Sequence, residues 1–235
     1  MTNTLEVEIE IASPLMSFED FLNYDDGTDA LYELEDRRLR IMTVESELNR
    51  LSTSFLFAYF LQQGISFSQL SMKTEVTVSG TRTTVRLPDL LVLTEELVAE
   101  IAGSRRSLVT LEMPPPRLAI EVVSPGRENA VRPRVGESGA TPRRRKTQGN
   151  AHQDRRKGML TKTEDRDYRY KRSQYQARGI DEYWIVNPIQ QQITVLSLVA
   201  GLYEEAVFTG EKEISSPLLQ ELGSSLTVRQ ILTHS

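Results

Sequence analysis

Two acidic residues stand inside apolar, strand-like stretches of this chain. Asp89 lies in the stretch 86–93, and Glu121 lies in the stretch 118–123. An ionised carboxylate among apolar side chains is costly to bury unless a cation or hydrogen-bond donors compensate it. If the two strands are neighbours, the acids can share one positive charge. A divalent metal ion bound through carboxylate oxygens is the simplest source of that charge.

A basic residue that could join these acids is Lys171. It lies in the stretch 165–178, which is predicted to be a helix that ends before Gly179. Asp167, Lys171 and Tyr175 are spaced four residues apart, so they stack along one helical face.

Each of these residues also has an ordinary structural interpretation. A buried acid can belong to an ion pair, and Pro88-Asp89 can form a turn at a strand end. Asp167 and Lys171 can form a surface pair, worth a few tenths of a kcal/mol. The coincidence of two buried acids with a basic helix favours a functional site over these explanations.

The predicted elements place these residues in an α/β fold with a central mixed sheet. Because both faces of the two acid-bearing strands are apolar, we expect helices to cover the sheet on each side. One strand is predicted to run through to Asp89, another holds Glu121, and three more form an antiparallel meander at 182–186, 192–199 and 202–208. The strongest helix signal covers 45–63, with a predicted buried stripe of Leu48, Leu51, Phe55, Ala58, Tyr59 and Leu61.

Composition excludes several other chemistries. The 235 residues include no cysteine and two histidines, so disulfides, thiolate catalysis and Cys-based metal sites are excluded, and a His-dependent mechanism is disfavoured. No apolar run approaches the ~18 residues that span a bilayer. The acidic N-terminal sequence lacks the layout of a secretion signal, and we therefore expect a cytoplasmic protein.

The net charge of −5 is unevenly distributed along the chain. The segment 130–164 contains ten Arg or Lys against three Asp or Glu, which leaves a net charge of −12 on the rest. Rich in Gly and Pro and poor in apolar residues, this segment is predicted to be a disordered insertion within a single domain. Its run Arg143-Arg144-Arg145-Lys146 could contact the phosphates of a nucleic acid.

Taken together, these motifs resemble a family of restriction endonucleases of the Uma type, abundant in cyanobacteria, within the PD-(D/E)xK nuclease superfamily. The resemblance covers roughly 15–126 and 165–235. It includes Pro88-Asp89, the strand with Glu121, Asp-x-x-x-Lys-x-x-x-Tyr at 167–175, Gly-Ile-Asp-Glu-Tyr-Trp-Ile-Val-Asn-Pro at 179–188, Tyr32-Glu33-Leu34, Val-Val-Ser-Pro at 122–125 and Gly201-Leu202-Tyr203.

The resemblance implies a restriction-endonuclease-like fold and hydrolysis of DNA phosphodiester bonds. Asp89 and Glu121 would bind Mg²⁺ or Mn²⁺, with the Val122 carbonyl as a further ligand, and Lys171 would act on the attacking water or the transition state. The superfamily's lysine usually stands two residues after the second acid, where this chain has Val123. Relatives that carry the lysine on a neighbouring helix make Lys171 the matching position.

Three supporting residues and one assembly state also follow from the resemblance. Glu33 would add a carboxylate, and Asp167 and Tyr175 would orient Lys171. A homodimer is expected because two cuts in a duplex need two sites.

Three rival interpretations stay open at this point. The first is a degenerate nuclease fold that binds nucleic acid or a protein without cleaving. The second is a metal-independent glycosidase that uses Asp89 and Glu121 as an acid–base pair. The third makes the arginine-rich segment the working part, as a nucleic-acid-binding arm with salt-sensitive affinity.

Overall fold

The structure, a computed structural model, describes residues 15–28, 30–42, 46–79, 84–123 and 162–234, with the backbone alone for 162–167. Its eleven described strands are β1 (Tyr32–Glu35), β2 (Arg38–Ile41), β3 (Leu70–Ser71), β4 (Glu75–Ser79), β5 (Thr84–Arg86), β6 (Leu90–Val92), β7 (Leu108–Val109), β8 (Leu118–Val122), β9 (Glu182–Asn187), β10 (Gln192–Val199) and β11 (Leu202–Thr209). Its described helices are α1 (Phe18–Leu22), α2 (Glu47–Gln62), a 3₁₀ turn (Phe67–Gln69), α3 (Glu95–Ile101), α4 (Lys162–Arg178), α5 (Pro217–Glu221) and α6 (Val228–Thr233).

The strands form two mixed sheets rather than the one central sheet expected. The small sheet has the order β2-β1-β5-β4-β7, and the large sheet has the order β11-β10-β9-β8-β6-β3. Each sheet contains one parallel pair, β4–β7 in the small sheet and β8–β9 in the large one. The predicted class, α/β with mixed sheet flanked by helices, is confirmed, and the antiparallel meander β9-β10-β11 lies where the sequence predicts it.

The strand predicted to run through to Asp89 is broken, and this break creates the site. β5 ends at Arg86 in the small sheet, and β6 begins at Leu90 in the large sheet. Pro88 has no N–H for a ladder bond, so a continuous strand is disfavoured here. The short connection carries the chain from one sheet to the other and leaves Asp89 directly before β6.

Two groups of buried side chains cover the faces of the large sheet. One face packs on α2, α5 and α6, through residues such as Leu56, Leu218 and Ile231 beside Trp184. The other face packs on α4 and on the small sheet, where Tyr175 and Val76 meet Ala119. Glu121 is two residues from Ala119 along β8, so its side chain lies on this second face and not on the face of Ile120.

Helix α2 buries a different face from the one predicted. Leu48 and Leu61, in the predicted stripe, are 38% and 43% exposed. The buried side chains are instead Asn49, Ser52, Thr53, Leu56 and Phe60. The prediction was wrong because three of these five residues are polar, and a search for hydrophobic periodicity does not detect such a face.

Helix α4 begins three residues earlier than predicted and ends where predicted, before Gly179 at φ +80°. Most of the basic segment, 130–161, lies outside the described residues, including Arg143, Arg144, Arg145 and Lys146. The interrupted single domain therefore stays a prediction. Among the described residues, no helix is long and apolar enough to cross a membrane.

Candidate active site

Glu121 is the centre of a buried polar cluster between the large sheet and α4. Its Oε2 accepts a hydrogen bond from Lys171 Nζ at 2.9 Å, and its Oε1 accepts one from the Tyr175 hydroxyl at 2.8 Å. Glu121 and Lys171 are 6% and 7% exposed, and Tyr175 is fully buried. The four-residue spacing on α4 thus delivers a cation and a phenol to the two oxygens of one carboxylate.

Asp89 joins this cluster through the backbone of β8. In the antiparallel pairing of β6 with β8, Leu90 is opposite Ile120, so one further step along the register sets Asp89 opposite Glu121. Asp89 Oδ2 accepts a hydrogen bond of 2.6 Å from the Val122 N–H. The side chain of Asp89 thereby takes the place of a strand partner where β6 has not yet begun.

The Val122 carbonyl has a partner that sequence reasoning missed. Asn49 Nδ2 donates to this carbonyl at 3.1 Å, from the first turn of α2, and Asn49 is 2% exposed. Ser46, the N-cap of α2, donates to Asn49 Oδ1 at 2.8 Å and so fixes the orientation of the amide. No local signal in the sequence distinguishes Asn49 from a surface residue in the first turn of a helix.

Glu33 lies beside the cluster and is held by the small sheet. Its Oε2 accepts from Arg86 Nη1 at 3.1 Å, and its Oε1 accepts from the Leu87 N–H at 3.0 Å. Arg86 is 1% exposed and also donates to Gln174 on α4 at 3.0 Å. Arg86 is the second residue that the sequence analysis missed, although an arginine inside an apolar strand was a visible signal.

The charges of this cluster influence one another. Burial raises the pKa of Glu121, the positive charge of Lys171 opposes that rise, and the negative charge of Glu33 adds to it, so that the net pKa is raised. Burial also acts to raise the pKa of Glu33, but Lys171 and Arg86 outweigh it and the net pKa is lowered. Burial, followed by the charge of Glu121, raises the pKa of Tyr175 well above its usual range. Tyr175 is therefore a hydrogen-bond donor at neutral pH.

The donors around Glu121 fit a hard divalent cation by their chemistry. Carboxylate and carbonyl oxygens suit Mg²⁺, which one or two carboxylates commonly hold together with water. Asp89, Glu121 and the Val122 carbonyl meet on one end of β8, and an ionised carboxylate keeps lone pairs beyond those that accept one hydrogen bond each. Within the described ranges, no group of three or more His, Cys, Asp or Glu side chains is arranged to hold a metal. A metal here would thus depend on two acids and one carbonyl.

The structure brings together most of the predicted site residues. Asp89, Glu121, Val122 and Lys171 are in one cluster, and Glu33 adjoins it through Arg86. Tyr175 contacts Glu121, whereas the sequence analysis expected it to orient Lys171. The backbone of Asp167 lies in α4, one turn before Lys171, and its side chain is outside the described part.

A family model matches most of this chain. The family model Uma2, described as "Putative restriction endonuclease", matches residues 18–133 and 159–229. The unmatched residues between these ranges, 134–158, fall inside the basic segment. Every described residue of the cluster lies within the matched ranges.

Among solved structures, the chain is similar to "a putative nuclease belonging to DUF820 from Anabaena variabilis ATCC 29413". The TM-score is 0.61 at 12% identity, and the alignment covers 92% of this chain and 96% of the other. At this identity the likeness is one of fold, and it confirms the predicted nuclease-like α/β fold. A search of curated proteins found no match.

Proposed function

This chain belongs to the Uma2 family, described as "Putative restriction endonuclease", and from that premise we propose that it is a divalent-metal-dependent endonuclease that hydrolyses DNA phosphodiester bonds. The observation that carries the proposal is the buried pair of Lys171 and Glu121, whose charged atoms are 2.9 Å apart. These residues are 50 positions apart in sequence, on a helix and a strand, and Asp89 adjoins them from a third element.

Each residue of the cluster would have a distinct role in cleavage. Asp89, Glu121 and the Val122 carbonyl would hold Mg²⁺ or Mn²⁺, which supplies Lewis acidity to the phosphate and to the attacking water. Lys171 would position or deprotonate that water, or neutralise charge on the phosphate. Tyr175 would keep Glu121 oriented, and Asn49 would keep the Val122 carbonyl oriented.

Two rival functions assign Lys171 differently. A glycosidase that uses Asp89 and Glu121 needs no metal and gives Lys171 no task. A degenerate nuclease fold would keep the Lys171–Glu121 pair as a structural ion pair alone. The direct contact of Lys171 with a carboxylate that adjoins a second acid favours the metal-dependent nuclease over both.

Nicking of supercoiled plasmid in the presence of Mn²⁺ tests the proposal. We expect the wild type to nick the plasmid, EDTA to abolish nicking, and Glu121→Ala and Lys171→Ala to reduce the rate by about 10²–10⁴-fold, the usual contribution of one acid–base group. Circular dichroism of each variant verifies that it is folded. Nicking that survives EDTA or the loss of Glu121 would refute the metal-dependent mechanism.

We also propose that the protein is cytoplasmic, that it forms a homodimer, and that its basic segment contacts DNA. Contacts from Arg143, Arg144, Arg145 and Lys146 to DNA would make binding strongly salt-dependent. Neutralising these four residues should weaken DNA binding and flatten its salt dependence. If the salt dependence is unchanged, this segment has no part in binding.

A further inference from the structure

A pocket of about 310 Å³ opens over strands β9, β10 and β11 of the large sheet, beside the candidate active site. It is lined by Tyr168, Arg169 and Arg172 of α4 and by Ile185, Asn187 and Gln192 of the sheet, among others. Its volume is at the lower end of the range for small-molecule sites, about 300–1,000 Å³. Every residue of the central strand β9 is buried except Ile185, which forms part of the pocket floor.

The register of the large sheet and the spacing of residues along α4 make this pocket a neighbour of Glu121 and Lys171. In the parallel pairing of β8 with β9, Ile185 is the partner of Glu121. Along α4, Tyr168 is three residues before Lys171 and therefore on the same side of the helix. A ligand in the pocket would thus lie one strand and one helical turn from the residues proposed to cleave a phosphodiester.

The walls of the pocket present hydrogen-bond donors above an apolar floor. Arg169 is exposed at its rim, and Arg172 is half-buried and paired with Glu205. Asn187 is 2% exposed, and its Oδ1 accepts the backbone N–H groups of Ile189 and Gln190. Both of these bonds use the oxygen, and neither engages the NH₂ group of this pocket-lining amide.

We propose that this pocket binds the nucleotide next to the phosphate that is cleaved. The inference rests on the proposed function, because it assigns the pocket to the same DNA strand. The base or deoxyribose would cover the apolar floor at Ile185, and the neighbouring phosphate would accept hydrogen bonds from Arg169 and Asn187. Tyr168 would flank the nucleotide on the side of Lys171.

The acidic charge outside the basic segment gives local hydrogen-bond donors a role in DNA binding at this surface. Residues outside 130–164 carry a net charge of −12, so long-range attraction does not bring a polyanion to this surface. Local donors must then supply the affinity. The pocket is lined by two arginines, Arg169 and Arg172, and by one acid, Glu205, which pairs with Arg172, so its lining carries a net positive charge. A net positive lining suits a phosphodiester better than a neutral substrate.

Binding of a fluorescein-labelled 20-base-pair DNA duplex, measured by anisotropy in Ca²⁺, tests the inference. Arg169→Glu reverses the charge at the rim, and Gln192→Trp fills the pocket without changing charge. We expect each to raise Kd by at least about 10-fold, and Arg169→Glu to lower the salt slope by about one, the value for one lost phosphate contact. The matched control is Arg105→Glu, which makes the same charge change at an exposed residue outside the pocket and should leave Kd within about twofold of wild type.

The outcomes separate the pocket from the nuclease activity. If the wild type binds the duplex but does not nick plasmid, the proposed function fails, and the selective effect of Arg169→Glu and Gln192→Trp still supports the pocket. If the wild type nicks plasmid, the two variants should raise KM with little change in kcat. A wild type that does not bind the duplex, or pocket variants that match Arg105→Glu in Kd and KM, would overturn the inference.

Discussion

Two buried glutamates on neighbouring strands of the large sheet have opposite kinds of partners. Glu182, at the start of β9, accepts hydrogen bonds from Trp184 Nε1 at 3.1 Å, Ser216 Oγ at 2.6 Å and the Leu218 N–H at 2.5 Å. All three donors are neutral. Glu121, on β8, accepts from the cation Lys171 and from Tyr175, and the negative charge of Glu33 acts on it.

This difference in partners is why we propose a structural role for Glu182 and a chemical role for Glu121. The donors of Glu182 belong to its own strand and to the first residues of α5, where Ser216 is the N-cap, so this carboxylate joins two elements of the core. Glu121 and its partners come from elements that are distant in sequence, and the pKa of Glu121 is raised by burial. Neutral donors satisfy a carboxylate permanently, whereas a charged cluster can exchange a proton or accept a metal.

The largest expected effect is on catalysis, and it should be confined to one of the two glutamates. Glu121→Gln removes a charge that would bind the metal, so we expect the plasmid nicking rate to fall by about 10²–10⁴-fold. Glu182→Gln keeps the shape of the side chain on the opposite face of the sheet, so the rate per folded molecule should stay at the wild-type value. An equal loss in both variants would mean that the loss reflects folding rather than chemistry.

Metal binding should raise the thermal stability of variants that keep the candidate site and not of variants that lose one of its acids. A ligand at 100 times its Kd stabilises the native state by about 2.7 kcal/mol. We therefore expect saturating Mn²⁺ to raise the Tm of the wild type and of Glu182→Gln, and to leave the Tm of Asp89→Ala and Glu121→Ala unchanged. Matched NaCl without divalent metal controls for ionic strength, and EDTA confirms that the shift depends on the metal. A Tm increase in Glu121→Ala would place the metal elsewhere.

Sequence patterns predicted the acids and the lysine of the candidate site. They did not predict the residues that hold these groups in place. Asp89 and Glu121 are recognisable because each interrupts an apolar stretch. Lys171 is recognisable because it follows the four-residue spacing of a helical face. Asn49 and Arg86 act on residues 73 and 53 positions away, through contacts that no local period encodes. The polarity of Asn49 is typical of a surface residue, although Asn49 is buried, because its burial comes from the packing of α2 against the large sheet.

The same limit explains what was predicted of the fold. The meander β9-β10-β11 and the end of α4 at Gly179 follow from alternation and turn residues, which are local signals. The division into two sheets depends on the short connection 87–89. There Pro88 ends one ladder, and the Glu33 carboxylate accepts a hydrogen bond from the Leu87 N–H. Only the partner strand, distant in sequence, reveals this change of sheet.

Removing one hydrogen-bond donor from each glutamate should have a smaller effect, which still distinguishes Glu121 from Glu182. Tyr175→Phe and Ser216→Ala each delete one hydroxyl that donates to a buried glutamate. We expect each to lower the free energy of unfolding by about 1–3 kcal/mol, the cost of leaving a buried acceptor short of a partner. Urea denaturation measures this loss.

Nicking then distinguishes the two donors. Tyr175→Phe should also reduce the nicking rate, because the Glu121 carboxylate loses its orientation, and Ser216→Ala should not. If the two variants nick plasmid at equal rates, Tyr175 serves the core alone.

The smallest expected effect is a shift of the acid limb of the pH–rate profile. Metal binding needs an ionised carboxylate, and a raised pKa means that Glu121 holds its proton up to a higher pH than an ordinary glutamate. Nicking and Mn²⁺ affinity should therefore be lost as pH falls, starting above the usual range of a Glu carboxyl. Glu33→Gln removes a negative charge that contributes to this rise, so the pKa of Glu121 falls and the acid limb moves to lower pH.

The control for this shift is Glu182→Gln, which removes one negative charge from the other face of the sheet. It should leave the acid limb where the wild type has it. The direction of the Glu33→Gln shift decides the interpretation. A shift to lower pH means that Glu33 acts on the site through its charge. A shift to higher pH would mean that the main effect of Glu33 is to hold Arg86, whose displacement then weakens the positive field around Glu121.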